Sequence, residues 1–337
     1  MPLSKIKTNS VADEVFEAGS SLIINGGMTV SQRGSSFSYA HDGTQTGYTL
    51  DRFNFGFRNT ADEYDCTVAK VSDSPDGFSN SLKITTGTAE SAIGADEYYN
   101  LYQPIEAQNL QLLGYGTSSA KAMTLSFYVK SSLTGTFASS FYQADDNRIL
   151  NKTYTINSAN TWERKTISIP ADTTGVIDND NGGGMWVYWG FGTGSDFDGG
   201  TTATNWTAYT TTNFFDSSGS DALITTAGAT WQITGVQLEV GEQATPFQHE
   251  DIQTTLDKCK RYFQLVEPNS IYSSYGATYN YVHWTFSPEM RANPTLAGTM
   301  GGTVDGINTR FAQRYSGGSS YAYFHGSSVQ VTADAEL

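Results

Sequence analysis

The side chains of this chain that could do chemistry are aromatic. The sequence contains 20 Tyr, 18 Phe and 6 Trp among 337 residues. Aromatic faces stack on the C–H surfaces of sugars, while nearby amides and carboxylates bind the hydroxyl groups. The candidates for such a surface are Trp186, Trp189, Trp206 and Tyr209 in the first part of the chain, and Tyr272, Tyr275, Tyr279, Trp284, Tyr321 and Tyr323 near its end.

Each group of rings has a second interpretation. For Trp186 and Trp189 a core position is favoured, at least for whichever of them faces another sheet. The C-terminal tyrosines lie among Gly and Ser, where contact with a ligand and packing between subunits remain equally open.

The sequence shows no pattern that requires catalysis. Glycoside hydrolysis needs two carboxylates about 5–9 Å apart in a cleft, and the Asp residues at 145, 146, 196, 198 and 216 lie unpaired in loop-like sequence. The four His residues lack triad, HExxH or CxxC context. We therefore expect a non-enzymatic protein without a cofactor.

One acidic loop resembles the start of a calcium site. Asp178 and Asp180 alternate with Asn before Gly182, but the twelfth position is Trp189 rather than an acid. Turn formation explains these residues as well, so calcium is the minor interpretation.

Composition restricts the classes of partner. The chain has 34 acidic and 19 basic residues, a net charge of −15, which argues against nucleic acid or an anionic membrane as the main partner. No 18-residue apolar run and no signal peptide are present, so we expect synthesis in a cytoplasm and no membrane insertion. Cys66 and Cys259 are expected to be small buried hydrophobes rather than a disulfide.

Strand patterns dominate residues 20–250. Met123 to Val129 alternate between apolar and other residues, and Met185 to Gly192 is apolar on both parities, as in a central strand that is covered on both faces. Gly235 shifts the alternation that begins at Trp231 by one residue, which predicts a β-bulge. These patterns predict an all-β protein whose main domain is a jelly-roll β-sandwich.

The remaining segments flank this domain. The spacing of Ile252, Leu256, Cys259 and Phe263 predicts a linker helix over 251–265 that begins at Asp251. Residues 266–337 form a Tyr/Gly-rich β tip, too small for a large core, so we expect oligomerisation, with the helix stripe as the subunit contact. Residues 1–19 are a polar tail with apolar clusters at Ile6 and at Val15 and Phe16.

An ordered run of short motifs carries a family resemblance over residues 20–265. The motifs include Leu22–Met28, Gln32–Gly34, Tyr48–Phe53, Thr124–Ser131, Gln237–Gly241 and Cys259–Phe263. Their order resembles the tail-fibre and tail-spike-associated proteins of tailed bacteriophages, especially marine and cyanobacterial ones. The chain departs from that pattern at Phe53, where Trp is usual, and at Gln248–Glu250.

The resemblance implies a fold and a function. It implies a carbohydrate-binding-module-like jelly roll followed by a helix, and a virion attachment segment over residues 1–19 that binds a tail or portal-proximal structural protein. The protein would be a virion tail-fibre component, made in the host cytoplasm, that binds a host-surface glycan or protein through residues 266–337. Symmetric fibres are usually homotrimers, so a homotrimer is expected. The alternatives are a capsid or tail decoration protein that uses the jelly roll for packing, and a glycan depolymerase.

Overall fold

A computed structural model describes residues 21–40, 43–59, 64–266, 270–273, 279–298, 303–317 and 331–337. The chain divides into two compact units, residues 1–249 and 250–337. The predicted attachment segment, with Ile6, Val15 and Phe16, lies outside the described residues.

The first unit is a sandwich of two antiparallel sheets. In chain order its strands are β1 (Ser36–Tyr39), β2 (Thr44–Tyr48), β3 (Asn54–Arg58), β4 (Cys66–Val71), β5 (Ser81–Thr86), β6 (Tyr98–Glu106), β7 (Met123–Ser131), β8 (Gly135–Gln143), β9 (Arg148–Ile156), β10 (Glu163–Ile169), β11 (Gly183–Thr193), β12 (Thr207–Ala208) and β13 (Thr230–Val240). The six-stranded sheet has the order β1-β4-β5-β13-β7-β10, and the seven-stranded sheet has the order β12-β9-β8-β11-β6-β3-β2. The all-β sandwich that the sequence predicts is confirmed.

The core lies between the two sheets. On β7 the alternating residues Met123, Leu125, Phe127 and Val129 are all fully buried, because successive side chains of a strand point to opposite faces. Trp231 on β13 is also fully buried, and its Nε1 donates a 3.2 Å hydrogen bond to the hydroxyl of Tyr154. Tyr154 lies on β9 of the facing sheet, so the polar group of a large core ring is satisfied across the sandwich.

The predicted bulge in β13 is confirmed. Pairing with β7 shifts between Thr234 and Gln237, and Gly235 has a φ of 61°. A side chain at Gly235 would be strained by that φ and would also meet the ring of Phe78 at 2.7 Å. Both the positive φ and the close packing of the Phe78 ring therefore favour glycine at position 235.

Helices are short. The first unit contains 3-10 helices at Ala107–Leu113 and Thr211–Asn213 and an α-helix at Ser195–Asp198. The predicted linker helix is present as Ile252–Lys260, and the Asp251 side chain caps it by accepting a 2.8 Å hydrogen bond from the Gln253 N–H. This helix falls in the second unit.

The second unit contains two small sheets. Its strands are β14 (Phe263–Val266), β15 (Ser270–Ser273), β16 (Tyr279–Thr285), β17 (Thr295–Gly298), β18 (Thr303–Ile307), β19 (Phe311–Gly317) and β20 (Val331–Asp334). Their orders are β14-β20-β17 and β15-β16-β19-β18. Trp284, Phe286, Met290 and Val331 belong to a buried cluster of this unit.

The predicted contact stripe of the helix is divided by the structure. Phe263 lies beyond the helix as the first residue of β14, because the helix ends at Lys260. Cys259 is 1% exposed and Phe263 is 4% exposed, whereas Ile252 is 62% exposed. Only the Ile252 and Leu256 part of the stripe is open to another chain. Cys66 and Cys259 are buried and are not joined in a disulfide among the described residues, as predicted.

Within the described residues, no helix is long and apolar enough to cross a membrane.

Candidate functional site

The outer face of the seven-stranded sheet carries a cluster of aromatic side chains. On β11 the residues Val187 and Trp189 are buried in the core, so Trp186 and Tyr188 point to the outer side. Tyr188 lies opposite Tyr102 on β6, and Trp186 lies opposite Tyr142 on β8. All four outer rings are partly exposed. We call this surface the aromatic face; it consists of Tyr98, Tyr102, Tyr142, Trp186 and Tyr188.

A loop extends the aromatic face. Residues 195–216, which we call the strap, follow β11 and carry Phe197, Tyr209, Phe214 and Phe215. Phe214 packs edge-on against Tyr188 with ring centroids 5.0 Å apart, and Tyr209 packs against Tyr142 at 5.2 Å. Three further contacts complete one connected chain of six rings: Tyr102–Tyr188 at 5.0 Å, Phe214–Tyr209 at 5.9 Å and Tyr142–Trp186 at 5.8 Å. Tyr98 and Phe197 form a separate pair at 5.0 Å.

Hydrogen bonds hold the strap on the sheet. The Asn151 Nδ2 on β9 donates to the carbonyl of Asn213 at 2.9 Å, and the Tyr209 N–H donates to the carbonyl of Asn147 at 2.9 Å. Gly190 makes room for the strap, since a Cβ there would lie 2.9 Å from the ring of Phe215. The rings are therefore positioned by backbone contacts rather than by their own stacking alone.

Three buried polar atoms lie on the same side of the sheet. Asn100 and Ser140 alternate outward with the rings of β6 and β8, and Asn151 is opposite Ser140 on β9. Asn100 Oδ1, Ser140 Oγ and Asn151 Oδ1 have no hydrogen-bond partner among the described residues. Buried polar atoms in proteins are nearly always paired with protein, water or a ligand. These three atoms, on the side of the sheet that carries the rings, are therefore available for hydrogen bonds to water or to a ligand.

The hydroxyls of Tyr98, Tyr142, Tyr188 and Tyr209 are neutral donors at physiological pH. Burial raises the pKa of Tyr188 well above its ordinary value of 10.0, and the nearby Tyr102 and Tyr142 raise it further. Burial also raises the pKa of Tyr98, Tyr142 and Tyr209. A surface of neutral rings with O–H groups can stack on sugar rings and bind their hydroxyl groups.

Carboxylates gather in loops at both ends of β11. Burial raises the pKa of Asp198 to about 6, and Asp221 and Asp216 raise it further. At the other end, burial raises the pKa of Asp145, to which Asp178 and Asp180 also contribute. Among the described residues, which include the calcium candidates Asp178 and Asp180, no set of three or more His, Cys, Asp or Glu is arranged to hold a metal ion.

The structure separates the four aromatic candidates of the first unit. Trp186 and Tyr209 lie in the aromatic face and the strap, whereas Trp189 is fully buried in the core. Trp206 is partly buried, packs against Tyr115 at 5.9 Å and donates from Nε1 to the carbonyl of Pro170 at 2.8 Å. Its role is to hold a loop rather than to present a free ring.

Of the C-terminal candidates, Trp284 is 1% exposed and packs in the core of the second unit, so it offers no ring to a ligand. Tyr272 and Tyr279 lie in β15 and β16, with side chains outside the described part of the structure. Tyr275, Tyr321 and Tyr323 lie outside the described residues.

Sequence reasoning missed Tyr102, Tyr142 and Phe214. The available signal was the second apolar parity of β11, which carries Trp186 and Tyr188 and predicts a covered outer face. Which rings of β6, β8 and the strap gather there depends on strand order. That order comes from tertiary pairing and is not visible in local periodicity.

Comparison with solved structures finds similar domains at low identity. The enzymatically active domain of tailspike protein 4 of bacteriophage CBA120 is similar over 65% of this chain and 21% of that chain, with 12% identity and a TM-score of 0.33. The chain therefore spans about a fifth of that tailspike chain. A family 11 carbohydrate-binding module from Clostridium thermocellum, in complex with a β-1,3-1,4-mixed-linked tetrasaccharide, is similar over 64% of this chain and 91% of that chain (12% identity, TM-score 0.28).

A third similar structure is TmCBM61 in complex with β-1,4-galactotriose, over 67% of this chain and 100% of that chain (8% identity, TM-score 0.29). No family model and no curated protein matches the chain.

Proposed function

We propose that this chain is a non-enzymatic, tail-fibre-type virion protein that recognises a host-surface glycan, and that the aromatic face binds the glycan. The observation that carries the proposal is the connected chain of partly exposed rings on one sheet face, which runs from Tyr102 and Tyr188, 5.0 Å apart, to Tyr142 and Trp186, 5.8 Å apart. Rings arranged along strands present flat apolar surfaces to successive sugars, and the amides and hydroxyls between them supply hydrogen bonds.

The residue types of the aromatic face favour glycan binding without hydrolysis. Its side chains are rings, amides and hydroxyls, which hold and orient a sugar but include no paired acid and nucleophile. The carboxylates lie in the loops at the ends of β11 instead. A reducing-sugar assay on host envelope polysaccharide checks this point, and we expect no release above the rate without protein.

The virion part of the proposal is supported by the ordered motifs of residues 20–265. Under it, residues 1–19 attach the chain to a tail or portal-proximal structural protein, and the protein acts in the virion as a homotrimer. The C-terminal unit remains a second proposed contact with the host surface. The aromatic face adds a second glycan-binding surface, in which Trp186 is the ring that the sequence already offered as a candidate.

Substitution of Trp186 by Ala tests the face directly. Trp186 is partly exposed and contacts Tyr142 at 5.8 Å, so its removal takes away a stacking surface of the kind that contributes about 1 kcal/mol or more. We expect Trp186→Ala to weaken glycan binding at least about fivefold on a glycan array and by isothermal titration, with an unchanged melting temperature to within a few degrees.

The matched control is Trp162→Ala. Trp162 is also partly exposed but lies by Lys130 on the outer side of the six-stranded sheet. We expect this variant to bind glycan like the unsubstituted protein. If both variants bind equally well, or if Trp162→Ala alone loses binding, the aromatic face is not the glycan site.

A further inference from the structure

We propose that the aromatic face accepts glycans built of uncharged or amine-bearing sugars and rejects acidic glycans. This inference rests on the proposed function and specifies the chemical class of its ligand.

The first group of charges lies where β11 ends. The helix Ser195–Asp198 follows that strand and carries Phe197, which packs on Tyr98 of the face at 5.0 Å. Asp198 at the end of this helix interacts with Asp216 and Asp221. Asp216 directly follows Phe215, the strap ring that covers Gly190. Three carboxylates therefore border the face at this end.

The second group lies where β11 begins. Asp145 in the β8–β9 turn accepts a 3.0 Å hydrogen bond from the Asp178 N–H, and it interacts with Asp180. Asp180 accepts from the Gly182 N–H at 2.8 Å. The next residue, Gly183, lies directly against the Trp186 ring. A second set of three carboxylates therefore borders the other end of the face.

Neither group is neutralised by a cation. Among the described residues, none of these six carboxylates forms a salt bridge. Arg58 and Arg148, which lie on β3 and β9 of the same sheet, are instead paired with Asp96 at 2.9 Å and Asp172 at 2.6 Å. The raised pKa of Asp198 and of Asp145 has the same origin, since burial and like charges without a nearby cation disfavour ionisation.

Lys152 on β9, in the sheet of the aromatic face, donates a 3.0 Å hydrogen bond to the carbonyl of Thr204 in the strap. Three further cationic side chains of the sandwich lie on the other sheet. Lys83, Lys130 and Arg164 occupy outer positions on β5, β7 and β10. An acidic glycan at the aromatic face would approach, at both ends, carboxylates that have no salt-bridge partner among the described residues, so charge repulsion would disfavour its binding. An amine-bearing sugar would be attracted by the same groups.

A glycan array with uncharged, amine-bearing and acidic members tests the inference on the full chain. We expect the bound members to be uncharged or amine-bearing, and their binding to be lost in Trp186→Ala. The double variant Asp198→Asn with Asp221→Asn keeps an acceptor oxygen at each position but removes two charges. We expect it to raise binding of acidic members severalfold at low salt, with binding of uncharged members unchanged.

The charge-matched control is Asp76→Asn with Glu242→Gln, two exposed acids beside strands of the six-stranded sheet. We expect it to leave the selectivity of the array unchanged. If the unsubstituted protein binds acidic glycans and Trp186→Ala abolishes that binding, the inference is overturned while the proposed function stands. If no glycan binds, the proposed function fails and this inference fails with it.

Discussion

At the scale of single residues, side chains of the motifs that carry the family resemblance form hydrogen bonds that fix the conformation of the backbone. The buried Asn25 side chain donates to the carbonyls of Val30 and Asp51 and accepts from the N–H groups of Thr29 and Val30. The Asp51 carboxylate in turn accepts from the backbone and side chain of Gln32, both at 2.6 Å. These hydrogen bonds hold the segment from Asn25 to Gln32 against Asp51. The motif therefore indicates a shared fold rather than a shared ligand.

The later motif acts in the same way. Buried Glu239 accepts from the backbone and hydroxyl of Thr245, while Gln237 donates to Thr245 and accepts from the Gln248 N–H. The chain that leaves β13 is thereby tied back to the sheet. Such residues can be shared between proteins whose ligands differ.

Gly26 and Gly27 make a matched residue-scale test. A Cβ on Gly26 would lie against the carbonyl oxygen of Val236, nearer than real Cβ atoms approach, whereas a Cβ on Gly27 would make ordinary contacts with the Phe247 ring at 3.7 Å and the Thr29 methyl at 3.8 Å. We expect Gly26→Ala to destabilise the first unit by about 1–3 kcal/mol. We expect Gly27→Ala to change stability by less than about 1 kcal/mol. Urea unfolding measures both, and equal losses would show that the turn is not closely packed on β13.

At the scale of elements, the β9–β10 turn is held by one carboxylate. Glu163 accepts hydrogen bonds from the N–H groups of Asn157 and Ser158, both at 2.8 Å, and pairs with Lys165. Burial raises the pKa of Glu163, but the hydrogen bonds from Lys165, Ser158 and Asn157 outweigh burial and lower the pKa to about 2. The ionised form of this residue therefore stabilises the folded state.

The lowered pKa of Glu163 predicts that the stability of the folded state depends on pH. Because the pKa of Glu163 is about 2 when folded, against an ordinary value of 4.5, its contribution to stability is complete above pH 4.5 and is lost as the pH falls toward 2. We expect Glu163→Gln to lower the melting temperature at pH 7 and to lose less stability than the unsubstituted protein between pH 4.5 and pH 2. Parallel acid-induced losses in the two proteins would contradict this assignment.

The helix Ile252–Lys260 was predicted correctly at its start but not at its end. Its four-three-four spacing, the Asp251 cap and the Lys-rich end predicted a helix where one exists. Periodicity extended it to Phe263, but Phe263 pairs with Asp334 on β20, which lies about 70 residues further along the chain. Pairing with a distant strand overrides local propensity, so the helix ends earlier than its pattern suggests.

At the scale of the whole molecule, the units are separable at residue 249 rather than at residue 265. β14, Phe263–Val266, pairs with β20 over its full length. Truncation after residue 265 would remove β20 and uncover the buried Tyr262 and Phe263. To measure the proposed host-surface contact of each unit by itself, point variants or a truncation after His249 are therefore better than a truncation after residue 265.

The predicted homotrimer is tested at this scale. We expect mass photometry of the full chain to show a species of three times 36.6 kDa. Ile252 is the most exposed large apolar side chain of the described residues, so we expect Ile252→Glu to shift the protein toward monomer. The control Leu112→Glu changes an exposed side chain of the first unit and should leave the trimer intact. A stable monomer in the unsubstituted protein would contradict the trimer and remove the helix as its contact.

The sequence by itself determined the fold class, the strands with clear alternation, the bulge at Gly235 and the helix start at Asp251. Each of these depends on a local pattern of period two or 3.6, on a glycine, or on a cap, and such patterns lie within a few residues of one another. The burial of both cysteines followed from the same patterns.

Only the tertiary structure decided which rings share a surface. Trp186 and Trp189 are three residues apart on one strand, yet one faces the outside and the other fills the core. Tyr102, Tyr142 and Phe214 join Trp186 and Tyr188 because β6 and β8 flank β11 and the strap folds back over them. Sequence patterns assign a side chain to one face of its own strand, but strand order and loop placement arise from packing between distant segments. The aromatic face is therefore a property of the folded sandwich.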